Sequence, residues 1–289
     1  MLPIARTLAL AGLLFALHGY STAEAKEPIF DPPRSYYLAL GDSVAYGYQA
    51  SKFSLPPSAV NTGYVDDFGA MLRHLRPRIT TVNYGCPGET MASFITGYCP
   101  WTALGHQLHD SFAGSQLDAA VSFLRTHRGK VSPNTLTLWG NDVAAFVSAC
   151  NGAPTCIQNG APSFLEKFGT SLSVILQSLR AAAPHAEIIV TGSWDSFIGS
   201  FDLGDPLFEA LNKTMAVVAA QQRVRFADPF PTFNPQGDVN AETRAMCLLT
   251  LLCTNGDSHP SDIGYKVLAD IVFDASDYAD LLDRPDDED

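Results

Sequence analysis

Tyr36-Tyr37-Leu38-Ala39-Leu40-Gly41-Asp42-Ser43-Val44-Ala45-Tyr46-Gly47 is the stretch on which the reading of this chain turns. Tyr36 to Leu40 are all apolar or aromatic, and the composition then changes at once to Gly-Asp-Ser. This pattern predicts a buried strand running into a tight loop that carries a serine. Open α/β sheets gather their reactive groups at the carboxyl edge of the strands. Gly, Asp and Ser are also ordinary turn residues, so this segment alone reads equally well as a strand and a plain turn. The rest of the chain decides.

Downstream, strand and helix patterns alternate. Tyr64 to Leu75 carries apolar residues at helical spacing and stops before Pro77. Ile79 to Asn83 is a short β-branched strand entering the turn Gly85-Cys86-Pro87-Gly88. Ser115 to His127 is an amphipathic helix, and Thr135 to Trp139 a third strand leading into Gly140-Asn141-Asp142. A helix over Pro162 to Ala183, a strand over Glu187 to Thr191, a helix over Asp205 to Gln222 and a strand over Val224 to Ala227 follow. Ser261 to Ala275 closes the pattern as a helix with Ser261 as N-cap. Such alternation predicts an α/β fold with a parallel sheet and helices on both faces. No linker or fixed-period repeat divides it, so a single domain over residues 26–282 is expected.

Composition narrows the partners. Of 289 residues, 46% are apolar and 17% charged, which suits a packed core rather than disorder. The 18 Lys+Arg against 30 Asp+Glu leave a net charge of −12, which argues against nucleic acid or an anionic membrane as main partner. Arg6, the apolar run Leu8 to Leu17 and the small-x-small triplet Ala23-Glu24-Ala25 make residues 1–25 a signal peptide, so a secreted protein is expected. No later stretch is long and apolar enough to span a bilayer. The acidic tail, residues 283–289, is expected to be disordered.

Export changes how the cysteines read. Cys86, Cys99, Cys150, Cys156, Cys247 and Cys253 are even in number and fall in local pairs, which suggests bridges 86–99, 150–156 and 247–253. No CxxC pair or nearby His accompanies them as a zinc site requires. His106 and His109 have the i,i+3 spacing that can hold a metal on a helix, but no set of further ligands completes it. Neither a metal nor a cofactor is expected.

Ser43, Gly88, Asn141 and His259 are the residue types that acyl transfer needs. A serine hydroxyl requires an adjacent base, usually His, and the tetrahedral intermediate requires preorganised donors. Three strand ends and the loop Gly256-Asp257-Ser258-His259-Pro260 supply them. In these blocks the sequence resembles the SGNH, or GDSL, hydrolase superfamily of esterases and lipases. Gly41-Asp42-Ser43 matches the first block, with Ser43 as nucleophile. Asn83 through Thr90 is similar to the second, with Gly88 at its oxyanion-hole glycine. Gly140-Asn141-Asp142 matches the third, with Asn141 as side-chain donor, and His259-Pro260 the fifth, with His259 as base. Any one block is common by chance; four in family order are not.

The resemblance implies a flavodoxin-like three-layer α/β/α sandwich with a mostly parallel five-stranded sheet. It also implies a serine ester hydrolase that uses no cofactor and takes a small-molecule or lipid ester; a monomer is expected. Two positions depart from the family pattern. Trp139 stands where the third block usually has Gly two residues before Asn, and could wall the acyl pocket or simply pack at the strand end. Asp usually stands three residues before the His, where this chain has Gly256, with Asp257 only two before. Either Asp257 reaches His259 Nδ1 by a different loop path or a backbone carbonyl orients the ring. The carboxylate is the favoured partner because it stabilises an imidazolium more than a carbonyl does.

Tyr46, Tyr48, Phe53 and Leu55 put apolar surface after the nucleophile, which suits acyl chains or lipid esters. Carbohydrate O-deacetylation is the main enzymatic rival, and a non-catalytic binding protein the rival from another class. Asp195 is an alternative acid that nothing in the sequence places near His259. Asn212-Lys213-Thr214 is a glycosylation sequon, meaningful only in a host that glycosylates. The α/β-hydrolase elbow Gly-x-Ser-x-Gly is disfavoured because position 45 is Ala.

Overall fold

Residues Tyr37 to Leu40 lose all contact with solvent, and this burial on both sides is what a central strand of a parallel sheet requires. The computed structural model describes residues 30–197, 204–236, 238–276, 278 and 281. The expected signal peptide and acidic tail lie outside the described residues.

Tyr36–Gly41 forms β1, followed by the single-turn helix Ser43–Tyr46 (α1), Tyr64–Leu75 (α2) and Thr80–Asn83 (β2). Met91–Thr96 (α3), Pro100–Ala103 (α4) and Gln116–Thr126 (α5) lead to Val131–Thr137 (β3). Gly140–Ala149 (α6), Pro154–Ala182 (α7), Ile188–Thr191 (β4), Gly204–Gln221 (α8) and Arg225–Ala227 (β5) complete the sheet region. The C-terminal part holds Phe230–Phe233 (α9), Val239–Leu249 (α10), Thr250–Leu251 (β6), Leu252–Asn255 (α11), Asp257–Pro260 (β7) and Asp262–Ala275 (α12).

The main sheet has the order β2-β1-β3-β4-β5 and every pairing is parallel. From β1 the chain moves one way to β2 through α2, then back across the sheet through α5, α7 and α8. Right-handed crossovers therefore place α2 on one face and the other three on the opposite face. Packing agrees: α2 lies against α12, while α5 meets α7 and α7 meets α8. This is the three-layer α/β/α arrangement. Its direction reverses between β1 and β3, and ligands bind at such a switch point.

Several elements differ from the sequence reading. The third strand spans Val131–Thr137 rather than Thr135 to Trp139, because the polar residue Ser132 finds partners inside the fold. Ser132 Oγ donates to Asp31 O at 2.8 Å and accepts from the Glu187 N–H at 3.1 Å. Pro133 falls where the register to β1 shifts, a position that needs no ladder donor. Helix α7 begins at Pro154 and contains Pro162, rather than beginning there. Pro162 and Gln158 are both exposed, so the carbonyl that loses its donor faces water. The segment Asp257–Pro260 is a strand paired antiparallel with β6, not a loop. All three local disulfides are present, with Cα–Cα separations of 5.8, 5.5 and 5.1 Å. Asn212 of the sequon is buried and bonded to Ser193, so it offers no glycosylation site.

Candidate active site

Ser43 is the first residue of α1, directly after β1. Asp42 caps this helix: its Oδ1 accepts the Val44 N–H at 2.9 Å, and Gly47 ends the turn at φ 80°. At the first helical position the Ser43 N–H has no intrahelical acceptor and is free to serve a ligand. The strand end admits only glycine at position 41. There φ is +130°, and a Cβ would stand 1.9 Å from the Thr137 carbonyl oxygen.

His259 comes from the small β6–β7 hairpin. Its Nε2 lies 2.8 Å from Ser43 Oγ, and its Nδ1 lies 2.5 Å from Asp257 Oδ1. The same carboxylate oxygen accepts the His259 backbone N–H at 3.0 Å. Folding the residue pair back on itself lets an acid two positions before the base reach Nδ1, and no carbonyl takes that place. Oδ2 accepts the Ala50 N–H at 2.7 Å. Burial pushes the Asp257 carboxyl up, but the bonds from His259 and Ala50 and the charge of the ring outweigh it, so the group sits below the usual carboxylate range.

Asn141 enters from the first turn of α6. Its Nδ2 donates to the Glu89 carbonyl at 2.8 Å, which ties the loop after β2 to the end of β3. Asp142 closes the same junction by accepting the Met91 N–H at 3.0 Å. Gly88 lies on that loop at φ +86°, two residues past the Cys86–Cys99 bridge and under Pro100. Asn83 fixes the loop from below, donating to the Ala45 carbonyl at 2.9 Å and accepting the Gly85 N–H at 2.8 Å.

A cavity of about 420 Å³ opens beside Ser43, Asn141 and His259. Its apolar wall is Trp139, Val143, Trp194, Phe197 and Leu252. Trp139 therefore does both things weighed for it. It lines the cavity and also packs edge-on against Trp194 at 4.8 Å and Phe208 at 5.9 Å. The aromatic residues that follow Ser43 do not line this cavity. Tyr46, Phe53 and Leu55 border a separate groove with Trp101 and His106, and Tyr48 sets its ring edge-on to His259 at 4.7 Å.

Three buried carboxyls underlie the site. Burial pushes Asp42 and Asp142 up to about 6 and Glu89 up to about 7, in each case against hydrogen bonds that favour the charged form. Gln116 links Glu89 to the strand end. It accepts the Gly41 N–H at 2.6 Å and donates to Gly41 O at 3.0 Å and Glu89 Oε2 at 3.1 Å.

The sequence reading missed Gln116, Asn83, Gln49 and Trp194, since a lone amide or indole carries no motif. Only Asn83 lay inside a recognised block. Asp195 is engaged elsewhere, accepting the Phe197 N–H at 2.7 Å and gathering with Asp205 and Glu242. His106 and His109 lie beyond α4 and not on a helix; His106 stacks on Trp101 and His109 Nε2 meets the Tyr46 carbonyl.

The sequence model of the GDSL-like Lipase/Acylhydrolase family matches residues 39–267, a span that holds every residue of this geometry. The chain belongs to that family. Its family is one of ester hydrolases, and its fold is shared by solved members. An extracellular lipase from Streptomyces rimosus is 17% identical with a TM-score of 0.56, the match covering 83% of this chain and 99% of that one. A catalytic mutant of an acetylxylan esterase from Geobacillus stearothermophilus is 16% identical with a TM-score of 0.57, covering 86% and 96%. A lipase from a goat rumen metagenome is 14% identical with a TM-score of 0.55, covering 83% and 96%. At these identities the likeness is one of fold. No curated protein matches this chain.

Proposed function

We propose that this GDSL family member is a secreted serine ester hydrolase that cleaves carboxylic esters through an acyl-enzyme on Ser43. The observation that carries the reading is the unbroken chain from Ser43 Oγ through the His259 ring to Asp257. Ser43 Oγ attacks the ester carbonyl carbon while His259 Nε2 takes its proton. The carbonyl oxygen becomes an oxyanion held by the Ser43 and Gly88 N–H groups and by Asn141 Nδ2. Collapse breaks the ester C–O bond, and His259 returns the proton to the departing alcohol. Water then attacks the acyl-serine, with His259 again as base, and releases the acid. Asp257 orients the ring and stabilises the imidazolium that forms in both steps.

The apolar wall of Trp139, Val143, Trp194 and Phe197 supports an acyl group as the part of the substrate that enters the cavity. Export is supported by three disulfides, and no helix among the described residues is long and apolar enough to cross a membrane. Carbohydrate O-deacetylation is the second reading, favoured by the fold shared with an acetylxylan esterase.

Labelling by a fluorophosphonate tests the proposal: wild type is labelled covalently and Ser43→Ala is not. Absence of labelling on folded wild-type protein removes the enzyme reading. A series of p-nitrophenyl esters of rising chain length, run beside an acetylated polysaccharide, separates the two substrate classes.

A further inference from the structure

Two loops border a groove separate from the cavity at Ser43, and several of their outer residues are apolar and open to solvent. Phe53 sets its ring edge-on to Trp101 at 5.5 Å and to His106 at 4.9 Å, and Trp101 and His106 stack at 4.0 Å. Phe53, Leu55, Gly105 and His106 border one groove of about 520 Å³. Phe53 is 49% exposed, Leu55 44%, and Leu104, which precedes Gly105, 74%. A single exposed apolar side chain needs no explanation, but several on two touching loops form a patch.

Charge is sparse on these loops. The chain has 30 acidic residues and a net charge of −12, yet none falls between Ser43 and Val65 or between Thr90 and His109. Lys52 is the only Lys or Arg in either stretch, and it pairs with Asp262 at 3.2 Å. An acidic molecule thus presents a neutral, apolar area beside Ser43. Such a surface has little to gain from a charged partner and much from a lipid–water interface with uncharged or zwitterionic head groups. An anionic bilayer would meet repulsion from the rest of the molecule.

The patch is joined to the reactive groups. Tyr48 lies between Trp101, at 5.8 Å, and His259, at 4.7 Å. Ala50 holds Asp257, and Gln49 donates to the Pro260 carbonyl at 3.0 Å. We propose that Phe53, Leu55 and Leu104 form a docking surface that seats the protein on the uncharged or zwitterionic surface of aggregated ester lipid, beside Ser43. The purpose of this docking rests on the ester-hydrolase reading; the docking itself does not.

The test uses the wild-type protein and the Phe53→Ser/Leu104→Ser double variant. Co-sedimentation is measured with vesicles of phosphatidylcholine alone and with vesicles containing phosphatidylglycerol. Wild type is expected to sediment with phosphatidylcholine and less with the anionic vesicles. The double variant should bind phosphatidylcholine at least roughly tenfold more weakly, since each lost side chain forfeits its apolar transfer. Its turnover of soluble p-nitrophenyl acetate should stay within about twofold of wild type, as for surface substitutions in general. The inference is overturned if wild type fails to sediment, or if the double variant sediments equally well. It is also overturned if the variant loses binding to an acetylated polysaccharide and not to vesicles. Failure of the ester-hydrolase reading appears separately, as wild type without p-nitrophenyl acetate turnover.

Discussion

The Ala50 N–H donates to Asp257 Oδ2 at 2.7 Å while Oδ1 of the same carboxylate faces His259 Nδ1 at 2.5 Å. The acid is thus held from the nucleophile's side of the molecule as well as from its own strand. Gln49, the neighbour of Ala50, is buried and donates to both the Pro260 carbonyl and Asp262 Oδ1 at 3.0 Å. Tyr265 Oη donates to the Tyr48 carbonyl at 2.8 Å from the other direction. This set of bonds fixes the β6–β7 hairpin, and with it His259, to the loop after Ser43.

Asp257→Ala should lower kcat/KM on a short-chain ester by roughly 10²- to 10⁴-fold, the range seen when a triad acid is lost. The circular dichroism spectrum should be unchanged, since Asp257 holds the short β6–β7 hairpin and the loop at Ala50 but not the main sheet. Gln49→Ala acts through position and not charge, so a smaller loss, roughly tenfold, is expected. Near-wild-type kcat/KM for Asp257→Ala would pass the orienting role to a main-chain group.

Asn141→Ala should reduce kcat by roughly 10²- to 10³-fold with little change in KM, because the donor matters once charge develops on the oxygen. The variant also loses the bond to the Glu89 carbonyl. Thermal unfolding separates the two effects: a large loss of kcat with a small change in Tm assigns the residue to the oxyanion. An equal fall in kcat/KM carried by KM would assign it to ground-state binding instead.

The fold was legible where periodicity was clean. Tyr64–Leu75 formed over its expected span, and the Tyr36 strand needed no tertiary information to be read as buried. Strand β3 was harder because its Ser, Pro and Asn are loop residues by composition, and only long-range partners at Asp31 and Glu187 make them buried strand residues. The meeting of Ser43, His259 and Asp257 could be anticipated because acyl-transfer chemistry demands particular residue types in such loops. The amides that hold them could not. Gln49 and Gln116 act through contacts 211 and 75 residues away, and no local pattern encodes such distances. Nearness in sequence to Ser43 likewise drew attention to Tyr46 and Phe53 as apolar surface, whereas the segment after β4 brings Trp194 and Phe197 to the cavity.

Ala144→Phe should narrow the choice of acyl group. Ala144 borders the cavity from α6 and is exposed, so the larger side chain meets no packed core. Its ring would fill space beside Asn141 that a long acyl chain needs and an acetyl group does not. Turnover of p-nitrophenyl acetate should persist, while the octanoate ester loses on the order of tenfold or more in kcat/KM, the cost of a few misplaced methylenes. Equal losses on both esters would mean that the acyl chain does not enter this cavity.

Glu89→Gln should flatten the dependence of stability on pH. Burial pushes the Glu89 carboxyl from 4.5 up to about 7, with the charges of Asp42 and Asp142 adding to the rise. The folded protein therefore binds this proton more tightly than the unfolded chain does. The stability it contributes is fully present below about pH 4.5 and is lost as pH rises through about 7. A displacement of that size corresponds to roughly 3 kcal/mol, or several degrees in Tm for a chain of this length. Glutamine keeps an acceptor for Gln116 and has no proton to lose. The fall in Tm between pH 5 and pH 8, followed by calorimetry, should be smaller in the variant by several degrees. A variant whose Tm tracked wild type at every pH would show that Glu89 does not carry its charge change on unfolding.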